Sequence, residues 1–489
     1  MLEELLHRAL GITVDLSGAA PLALLLRVPS WLGNDLRHPE NCEAPLDLGY
    51  AAALARRQGY RAAILDLETG AFTLDAVAEA LRSARPEVVV LSGITPAADH
   101  LLWLARAAKE ARPQTLTVAC GQHVDAVPES LLFPGSPVDV GVAGEFEETV
   151  AEVLGAARSG GDLRVRGTIT LQDGKPVSHG ERPLITDLDA LPYPSHDFFR
   201  SRLYRHLHPM RHVGRYRWGF IQSSRGCPFP CIYCSKTLRT SFGTPLRARA
   251  AANVVEEMRY LERRGVNVLV FTDDVFNLRR DRVMELCEAI RSSGVRLSWK
   301  AQGRATPGDL EMFRAMRAAG CSTISFGVES GSPPILETLE KRMTVPEIEA
   351  AFRLAREAGL LRVAFFLVGS PSETIVDFER TVALMHRLVP DIVQVANFTC
   401  YPGSTAYEHY FADREARWDE FQHYEKSSNL SAESDAEMAT WQRRLYRAFV
   451  LRPGYLLRYA RLKHVNLLFN FETERYLVAQ ALKTLFVRR

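Results

Sequence analysis

The chain lacks long apolar segments, a strong net charge and a leader-like N-terminus. The apolar run over residues 19–26 has the length of a strand, well short of the roughly 20 residues that cross a bilayer. A formal net charge of +2 gives no overall field that would attract nucleic acid or membrane. The first residues, Met1-Leu2-Glu3-Glu4, are acidic where a secretion signal is basic. These absences predict a cytoplasmic protein with reduced thiols, no transmembrane segment and no nucleic-acid partner.

Paired cysteines are also absent. Five of the eight cysteines have no partner spacing, and each is expected to be a buried apolar residue: Cys42, Cys120, Cys287, Cys321 and Cys400. Because nothing marks the chain as secreted, disulfide bonds are not expected. The length of 489 residues predicts two or three domains.

The other three cysteines are the most informative feature of the sequence. Cys227, Cys231 and Cys234 lie at C-x3-C-x2-C spacing on one loop. Three thiolates on a short loop can hold three corners of a cubic iron–sulfur cluster and leave the fourth iron open to bind a small molecule. A zinc site would need a fourth ligand, and His208 and His212 lie upstream at no recognisable spacing. The spacing therefore favours a cluster over zinc.

Short apolar runs alternate with helical patterns in the first third of the chain. The predicted strands are 22–28, 62–66, 88–92, 116–119 and 138–142. The predicted helices are 46–58, 74–84, 98–111 and 147–156. This alternation favours a doubly wound parallel sheet, which binds ligands at the carboxyl ends of its strands. A stiff linker follows, with a hairpin signal at Asp173-Gly174.

A second alternation begins near Trp218, and the cysteine loop follows its first strand. The predicted strands are 219–223, 266–272, 296–301, 323–327, 362–368 and 392–398. The predicted helices are 250–264, 280–292, 307–319, 346–358 and 373–388. Six consecutive βα units indicate a barrel-like sheet that is incomplete. The last segment of the chain is helical in pattern, aromatic-rich and basic.

The two regions and the cysteine motif together resemble cobalamin (B12)-binding radical S-adenosylmethionine (SAM) enzymes, and the resemblance covers residues 21–407. It implies an α/β protein with a flavodoxin-like, doubly wound B12-binding domain, a partial (β/α)6 radical SAM barrel and a C-terminal helical segment. We expect the B12-binding domain at 1–158, the linker with its hairpin at 159–215, the barrel at 216–415 and a helical lid or substrate domain at 416–489. The implied cofactors are a [4Fe–4S] cluster on Cys227, Cys231 and Cys234, SAM on its open iron, and cobalamin.

The resemblance also assigns SAM contacts within the barrel. Tyr233 precedes the last cysteine, Asp273 and Asp274 end the second barrel strand, and Arg304 follows the third. Glu329 lies in Phe326-Gly327-Val328-Glu329-Ser330-Gly331, which is similar to the family's G-x-E-S segment. Its carboxylate could accept hydrogen bonds from the cofactor. Two further loops match the family, 369–374 with Ser372 where glycine is usual, and the P-G-T-like loop 401–405. The first of these is expected to be structural, with Thr374 or Ser372 capping the next helix.

Three loops of the first domain carry the expected cobalamin contacts. They follow its third, fourth and fifth strands, and their proposed contacts are Ser92, Thr95, Gly121, Gln122, Gly144 and Glu145. The D-x-H-x-x-G motif that supplies a histidine to cobalt in other B12 proteins is absent from the sequence. His38 and His123 are the only histidines in suitable loops, and the missing motif argues against histidine coordination.

The resemblance implies a methyltransferase acting on an unactivated carbon of a small-molecule or lipid-like intermediate, through a 5′-deoxyadenosyl radical and methylcobalamin. An enzyme of this kind needs an external electron donor of the flavodoxin or ferredoxin type. The alternative is a B12-dependent radical enzyme that carries out cyclisation, ring rearrangement or C–C bond formation without methyl transfer. A methylthiotransferase would need a second three-cysteine cluster upstream, where only Cys42 and Cys120 lie. A cobalamin sensor without turnover is a further alternative, and the sequence does not single out a catalytic residue.

The basic C-terminal segment has two interpretations. Its arginines and lysine interleave with aromatic residues, the cations being Arg443, Arg444, Arg447, Arg458, Arg461 and Lys463. Such stripes are typical of a helical lid whose aromatics pack inward while arginine stems cover them. Contact with a lipid-like or anionic substrate, or with a membrane surface, is the alternative.

Overall fold

The computed structural model contains two large β-sheets with helices packed on them, followed by a C-terminal helix. The described residues are 2–10, 18–30, 42–201, 203–204, 210, 212, 214–234, 243–306, 308–411, 417–421, 429–452 and 454. Among these residues, no helix combines the length and the apolar character that crossing a membrane requires. Five residues singled out from the sequence lie outside the described ranges, namely His38, His208, Arg458, Arg461 and Lys463.

The first sheet has seven strands. Their bounds are β1 Leu22–Arg27, β2 Arg61–Asp66, β3 Val88–Ser92, β4 Leu116–Cys120, β5 Val140–Val142, β6 Thr168–Gln172 and β7 Lys175–Ser178. The first five run parallel in the order β2-β1-β3-β4-β5, which is the order of flavodoxin-like folds. Their side chains are nearly all buried because helices cover both faces of a parallel sheet. The predicted doubly wound fold is confirmed.

Within the part of the chain that the structure describes, six helices accompany this sheet. They are α1 Leu2–Leu10, α2 Leu46–Arg57, α3 Leu74–Ala84, α4 Ala98–Ala111, α5 Gln122–Ala126 and α6 Phe146–Ser159. Helix α1 was not among the helices predicted from the sequence, although Leu2, Leu5 and Leu6 on one side of it join the apolar core of the sheet. Its leucines repeat with helical spacing, which is the signal that would have identified it.

The hairpin predicted in the linker extends the first sheet. β6 pairs antiparallel with β5, and β7 pairs antiparallel with β6. The Asp173-Gly174 turn was visible in the sequence because it is a local signal. The partner of β6 was not, because β5 lies in a different segment of the chain and a turn signal carries no information about it.

The second sheet contains six parallel strands in sequential order, as expected for a partial barrel. Its strands are β8 Trp218–Ile221, β11 Val268–Phe271, β12 Ser298–Gly303, β13 Cys321–Glu329, β14 Leu361–Val368 and β15 Ile392–Asn397. Two short strands between the first two form a separate antiparallel ribbon, β9 Ser224–Arg225 and β10 Arg247–Ala248. The predicted partial barrel is thus confirmed, and the ribbon brackets the cysteine loop.

Seven helices belong to the barrel among the described residues. They are α7 Ala251–Arg263, α8 Arg280–Ser293, α9 Leu310–Ala318, α10 Pro333–Thr338, α11 Val345–Glu357, α12 Ile375–Leu388 and α13 Thr405–Tyr410. Helices α7, α8, α9, α11 and α12 cover the outer face of the sheet, where Leu269, Phe271 and Phe326 belong to the helix-side core. Helix α13 packs with Ile232 of the cysteine loop instead. On the inner face, Phe220 and Val270 pack with Tyr50 of α2. The first domain and the barrel therefore share an apolar core.

The described C-terminal helix, α14 Asp435–Val450, covers the open edge of the barrel sheet. Gln442 Nε2 donates to the Val395 carbonyl over 2.8 Å, and the Val395 amide donates to Tyr446 Oη over 3.0 Å. These bonds satisfy backbone groups of an edge strand that would otherwise be exposed for pairing. Trp441 stacks on Phe378 at 4.9 Å between ring centroids, and Arg444 lies over the same ring. The inward aromatics and covering arginines match the expected pattern, but the helix lies along the side of the barrel.

Candidate active site

The cysteine loop begins at the carboxyl edge of the barrel sheet, after β8 and the short strand β9. Gly226 has φ +102°, and a Cβ at this position would stand 2.4 Å from the Pro245 carbonyl oxygen. Only glycine fits this backbone without displacing the neighbouring chain. The Gly226 amide donates to Asp274 Oδ2 over 2.8 Å, and the Cys227 amide donates to the Gly243 carbonyl over 3.3 Å. The start of the loop is therefore fixed by its glycine and by the end of β11.

Asp273, a predicted SAM contact, has its oxygens engaged within the chain. Oδ1 accepts from the Ser223 amide over 2.7 Å, and Oδ2 accepts from the Ser223 and Ser224 hydroxyls. Arg282 Nη2 lies 3.1 Å from the same Oδ2. Since this carboxylate is buried and surrounded by donors, the geometry favours a role in holding the chain ahead of the cysteines. The neighbouring Asp274 is half-buried, and burial raises its pKa to about 6.

The three motif cysteines form no disulfide bonds; Cys231 is buried, and Cys227 and Cys234 are half-buried. Burial, followed by the charges of Cys231 and Cys227, raises the pKa of Cys234 to about 12. Iron binding would deprotonate such thiols, as metals do to coordinating sulfur. Within the described ranges, no three His, Cys, Asp or Glu side chains are placed to hold a single metal ion. Three thiols on one short loop fit a cluster, in which each thiolate binds a different iron.

Two other segments hold the far side of the cysteine loop. The Ile232 amide donates to the Leu339 carbonyl over 3.2 Å, and the Ala406 amide donates to the Ile232 carbonyl over 3.0 Å. Arg304, another predicted SAM contact, stacks its guanidinium 3.6 Å above the Phe229 ring centroid. Its Nη2 donates to the carbonyls of Lys341 and Arg342. Arg304 Nε is buried and finds no hydrogen-bond partner among the described residues, so one donor remains for a ligand.

Tyr233 and Glu329 meet at a buried lysine. Lys341 Nζ lies 2.6 Å from Glu329 Oε1 and donates to Tyr233 Oη over 2.9 Å, while the Tyr233 hydroxyl donates to Glu329 Oε1 over 3.1 Å. Glu329 has φ +64°, and the register between β13 and β14 shifts beside it. A Cβ on Gly327 would stand 2.4 Å from Glu329 Oε1. The glycine of the G-x-E-S segment thus leaves room for the folded-back glutamate.

One departure from the family pattern lies in the loop after β14. Ser372, at the position where glycine is usual, adopts φ +60°, a conformation that glycine takes without strain. Thr374 caps α12 through a capping box with Asp377, as the sequence suggested. Burial raises the pKa of Glu373 to about 7, and this carboxyl accepts from the Ser370 amide over 2.9 Å.

The three predicted cobalamin loops converge at the carboxyl edge of the first sheet. A Cβ on Gly121 would stand 3.3 Å from Ser92 Oγ. Thr95 Oγ1 lies 3.4 Å from His123 Nδ1, and the Gly144 amide donates to Asp125 Oδ1 over 2.8 Å. Gln122 begins α5 between them. A Cβ on Gly144 would meet no atom within 4 Å, and beside these loops Ile94 is 39% exposed. Open space and apolar surface at this edge fit a bulky corrinoid.

His123 lies between these loops with both ring nitrogens engaged. Nε2 lies 2.7 Å from Ser130 Oγ, and Nδ1 faces Thr95. Burial lowers the pKa of His123 to about 4, so the imidazole is neutral at pH 7. Trp418, in the short helical turn Trp418–Glu420, packs edge-on against the His123 ring, with 4.9 Å between the ring centroids. These contacts agree with the argument against histidine coordination of cobalt.

Glu145, by contrast, faces the barrel. Oε1 lies 3.1 Å from Arg225 Nη1, and Oε2 lies 2.8 Å from Arg247 Nη1. Glu147, two residues on, lies 2.6 Å from Arg225 Nη2. Both glutamates are buried. The first domain therefore meets the ribbon that brackets the cysteine loop through two glutamates at the start of α6.

Sequence reasoning missed Lys341, Arg225 and Arg247. Arg225 stands directly before Gly226, so its place beside the motif was a usable signal. Lys341 lies 107 residues after Cys234, the last cysteine of the motif, and no neighbouring residues in the sequence mark it as a site residue. A surface cavity of about 290 Å³ is lined by residues including His196 and Trp218, and none of its lining residues belongs to the cysteine loop.

Fold and site together define an α/β enzyme in which a corrinoid-type domain faces a barrel bearing a three-cysteine loop. The family model described as the B12 binding domain matches residues 36–154, and that of the radical SAM superfamily matches residues 221–385. The chain belongs to the cobalamin-binding radical SAM enzymes, whose cofactors are a [4Fe–4S] cluster, SAM and cobalamin. Enzymes of this superfamily generally need an electron donor and a small-molecule substrate.

The proteins similar to the chain include the following two curated relatives and one solved structure. An uncharacterised methyltransferase of Pyrococcus horikoshii is 29% identical, covering 85% of this chain and 89% of the relative. The anaerobic magnesium-protoporphyrin IX monomethyl ester cyclase of Rubrivivax gelatinosus is 26% identical, covering 74% of this chain and 66% of the relative. The radical SAM methyltransferase TsrM of Kitasatospora setae, solved with cobalamin and a [4Fe–4S] cluster, has the same fold, with TM-score 0.63, 20% identity and coverage of 79% of this chain and 74% of that one.

Proposed function

We propose that the chain is a cobalamin-dependent radical SAM methyltransferase that methylates an unactivated carbon of a small-molecule or lipid-like intermediate. The observation that carries the proposal is the direct contact between the corrinoid-type domain and the base of the three-cysteine loop, through Glu145 and Arg225. Methyl transfer to a substrate radical requires the two cofactors to face one substrate. Similarity to the named methyltransferase of Pyrococcus horikoshii supports the same activity.

In this proposal Cys227, Cys231 and Cys234 ligate the cluster, and when bound the cofactors supply a hydrogen-abstracting radical and a transferable methyl group. The chain's own residues position these groups. Asp274 holds Gly226 and thereby orients the first cysteine. Arg304 holds Phe229 between the first two cysteines.

Tyr233, Glu329 and Lys341 form a hydrogen-bonded group that would bind SAM. Glu329 can accept hydrogen bonds from the cofactor, while Lys341 pairs with that carboxylate inside a buried site. Arg304 Nε offers a further donor. We propose that Ser92, Thr95, Gly121, Gln122 and Gly144 hold the nucleotide tail of cobalamin, while Glu145 acts toward the barrel.

The test is anaerobic reconstitution with iron, sulfide, SAM, cobalamin and a reductant, followed by product analysis with candidate substrates. Methyl transfer predicts S-adenosylhomocysteine and 5′-deoxyadenosine together. Formation of 5′-deoxyadenosine with a converted substrate but no S-adenosylhomocysteine would instead support a cyclase or rearrangement, the activity named for the Rubrivivax gelatinosus relative. A chain that bound neither four irons nor corrinoid would refute both.

A Cys231→Ala variant separates enzyme from sensor. It should lose the cluster and all SAM cleavage while still binding cobalamin, because Cys231 lies outside the first domain. The proposal includes an electron donor of the flavodoxin or ferredoxin type and a cytoplasmic location, since an open iron site needs reducing surroundings. Methylthiotransfer is disfavoured because the three-cysteine motif occurs once in the sequence.

A further inference from the structure

The base of the cysteine loop is closed by two arginines that face each other. β9 and β10 form an antiparallel ribbon in which Arg225 is the register partner of Arg247. All three motif cysteines lie between these strands in sequence. Like charges directly opposite each other on a ribbon repel and destabilise it. The ribbon that closes the loop therefore needs a compensating anion.

The first domain supplies that anion. Glu145 places one oxygen 3.1 Å from Arg225 Nη1 and the other 2.8 Å from Arg247 Nη1, so that a single carboxylate bridges both arginines. Glu147 adds a second contact to Arg225, at 2.6 Å. Two cations and two anions leave the group neutral, which is necessary because the four side chains are 1% to 8% exposed.

The surroundings reinforce the bridge from both domains. Glu145 Oε2 accepts from the Ile185 amide over 2.7 Å, and Arg247 Nη1 donates to the Ile185 carbonyl over 2.6 Å. The Arg225 guanidinium lies 5.3 Å from the centre of the Tyr50 ring on α2. The bridge is thus held by the first domain, the linker and the ribbon together.

We propose that Glu145 is a positioning residue for the cluster, and that docking of the first domain closes the cysteine loop through the Arg225–Glu145–Arg247 bridge. The inference rests on the proposed function only in taking the three cysteines as cluster ligands. It gives Glu145 a role toward the cluster in place of the expected cobalamin contact.

The test compares Glu145→Gln with a matched control in the full chain. Asp391→Asn is the control, because Asp391 accepts from Arg362 Nη2 over 2.9 Å in an equally buried pair at the amino ends of β14 and β15, away from the loop. The first readout is hydrogen–deuterium exchange of residues 226–234 in the iron-free protein. Glu145→Gln should speed exchange there by about tenfold or more, because removing one partner leaves buried charge uncompensated. Asp391→Asn should leave it unchanged.

The second readout is iron content and the electron paramagnetic resonance spectrum of the reduced cluster after reconstitution. Glu145→Gln should lower iron content or change the spectrum, and the double variant E145Q/R247M should restore the wild-type result because it removes the opposing cation. Wild-type exchange in Glu145→Gln, equal effects of both single variants, or no rescue by the double variant would each overturn the inference. A wild-type chain that takes up no iron would instead refute the proposed function, and the exchange readout would still decide the role of Glu145.

Discussion

Replacing Gly226 by alanine should remove the cluster with little effect on the rest of the fold. At φ +102° an alanine costs about 1–2 kcal/mol in backbone strain. Its Cβ would stand 2.4 Å from the Pro245 carbonyl oxygen, about 1 Å inside the roughly 3.5 Å of ordinary contact. The backbone must move, and the 2.8 Å bond from the Gly226 amide to Asp274 is then lost. A hydrogen bond to a charged group contributes about 1.5–3 kcal/mol, so the total cost is about 3–5 kcal/mol.

Gly180→Ala is the matched control for this substitution. Gly180 has φ +90°, and a Cβ there would meet nothing within 4 Å. The control therefore has the backbone strain alone. The free-energy costs of the two variants should differ by about 2 kcal/mol or more, which is roughly a 30-fold shift in the population of the closed loop. The assay is iron and sulfide content after anaerobic reconstitution, with thermal unfolding of the iron-free protein measured in parallel. A Gly226→Ala chain that takes up as much iron as wild type would refute the reasoning.

Three further predictions concern the barrel. Lys341→Met should lower the free energy of unfolding by about 3–5 kcal/mol, because Glu329 is left as an unpaired buried charge. The double variant K341M/E329Q should lose less, and equal losses of the two variants in urea unfolding would contradict the pairing. Glu373 has its pKa raised from 4.5 to about 7 by burial, so its contribution to stability is full below pH 4.5 and is lost as pH rises through 7, by at most about 3 kcal/mol. The free energy of unfolding of Glu373→Gln should not fall over this pH range for this reason. If variant and wild type lost stability in parallel as pH rises, the role of Glu373 would be refuted. Ser372→Gly should raise the free energy of unfolding by about 1 kcal/mol by relieving φ +60°, and a lower melting temperature would argue against this.

Much of the fold was predictable because the information is local. Buried strands such as 88–92 and helices such as 74–84 were found within a residue or two of their predicted limits. Apolar runs and helical spacing report burial of a segment without naming the segment that covers it. For the same reason the sequence revealed the hairpin of β6 and β7 but not its pairing with β5. The edge-covering role of α14 was equally hidden, since Gln442 and Tyr446 bond to a strand some 50 residues away.

The candidate site shows the same division. Glu145 lies in the loop after β5, at the carboxyl edge of the first sheet, where the resemblance implied a cobalamin contact. Its side chain instead meets Arg225 and Arg247, which lie 80 and 102 residues further along the chain. Asp273 ends a strand as predicted, but its partners Ser223 and Ser224 belong to the preceding strand and loop. Neither orientation is encoded by the residues adjacent in sequence.

The sequence by itself determined the three-cysteine motif and the order of the two βα regions, which follow from spacing and periodicity within short segments. The family and its cofactors were implied by the resemblance that these features carry. Only the tertiary structure decided which charges surround the cysteines: Lys341 beside Tyr233, and Glu145 between Arg225 and Arg247. Buried charges must be neutralised by whatever the fold brings within about 3–4 Å, and that neighbour is set by the packing of separate strands and domains.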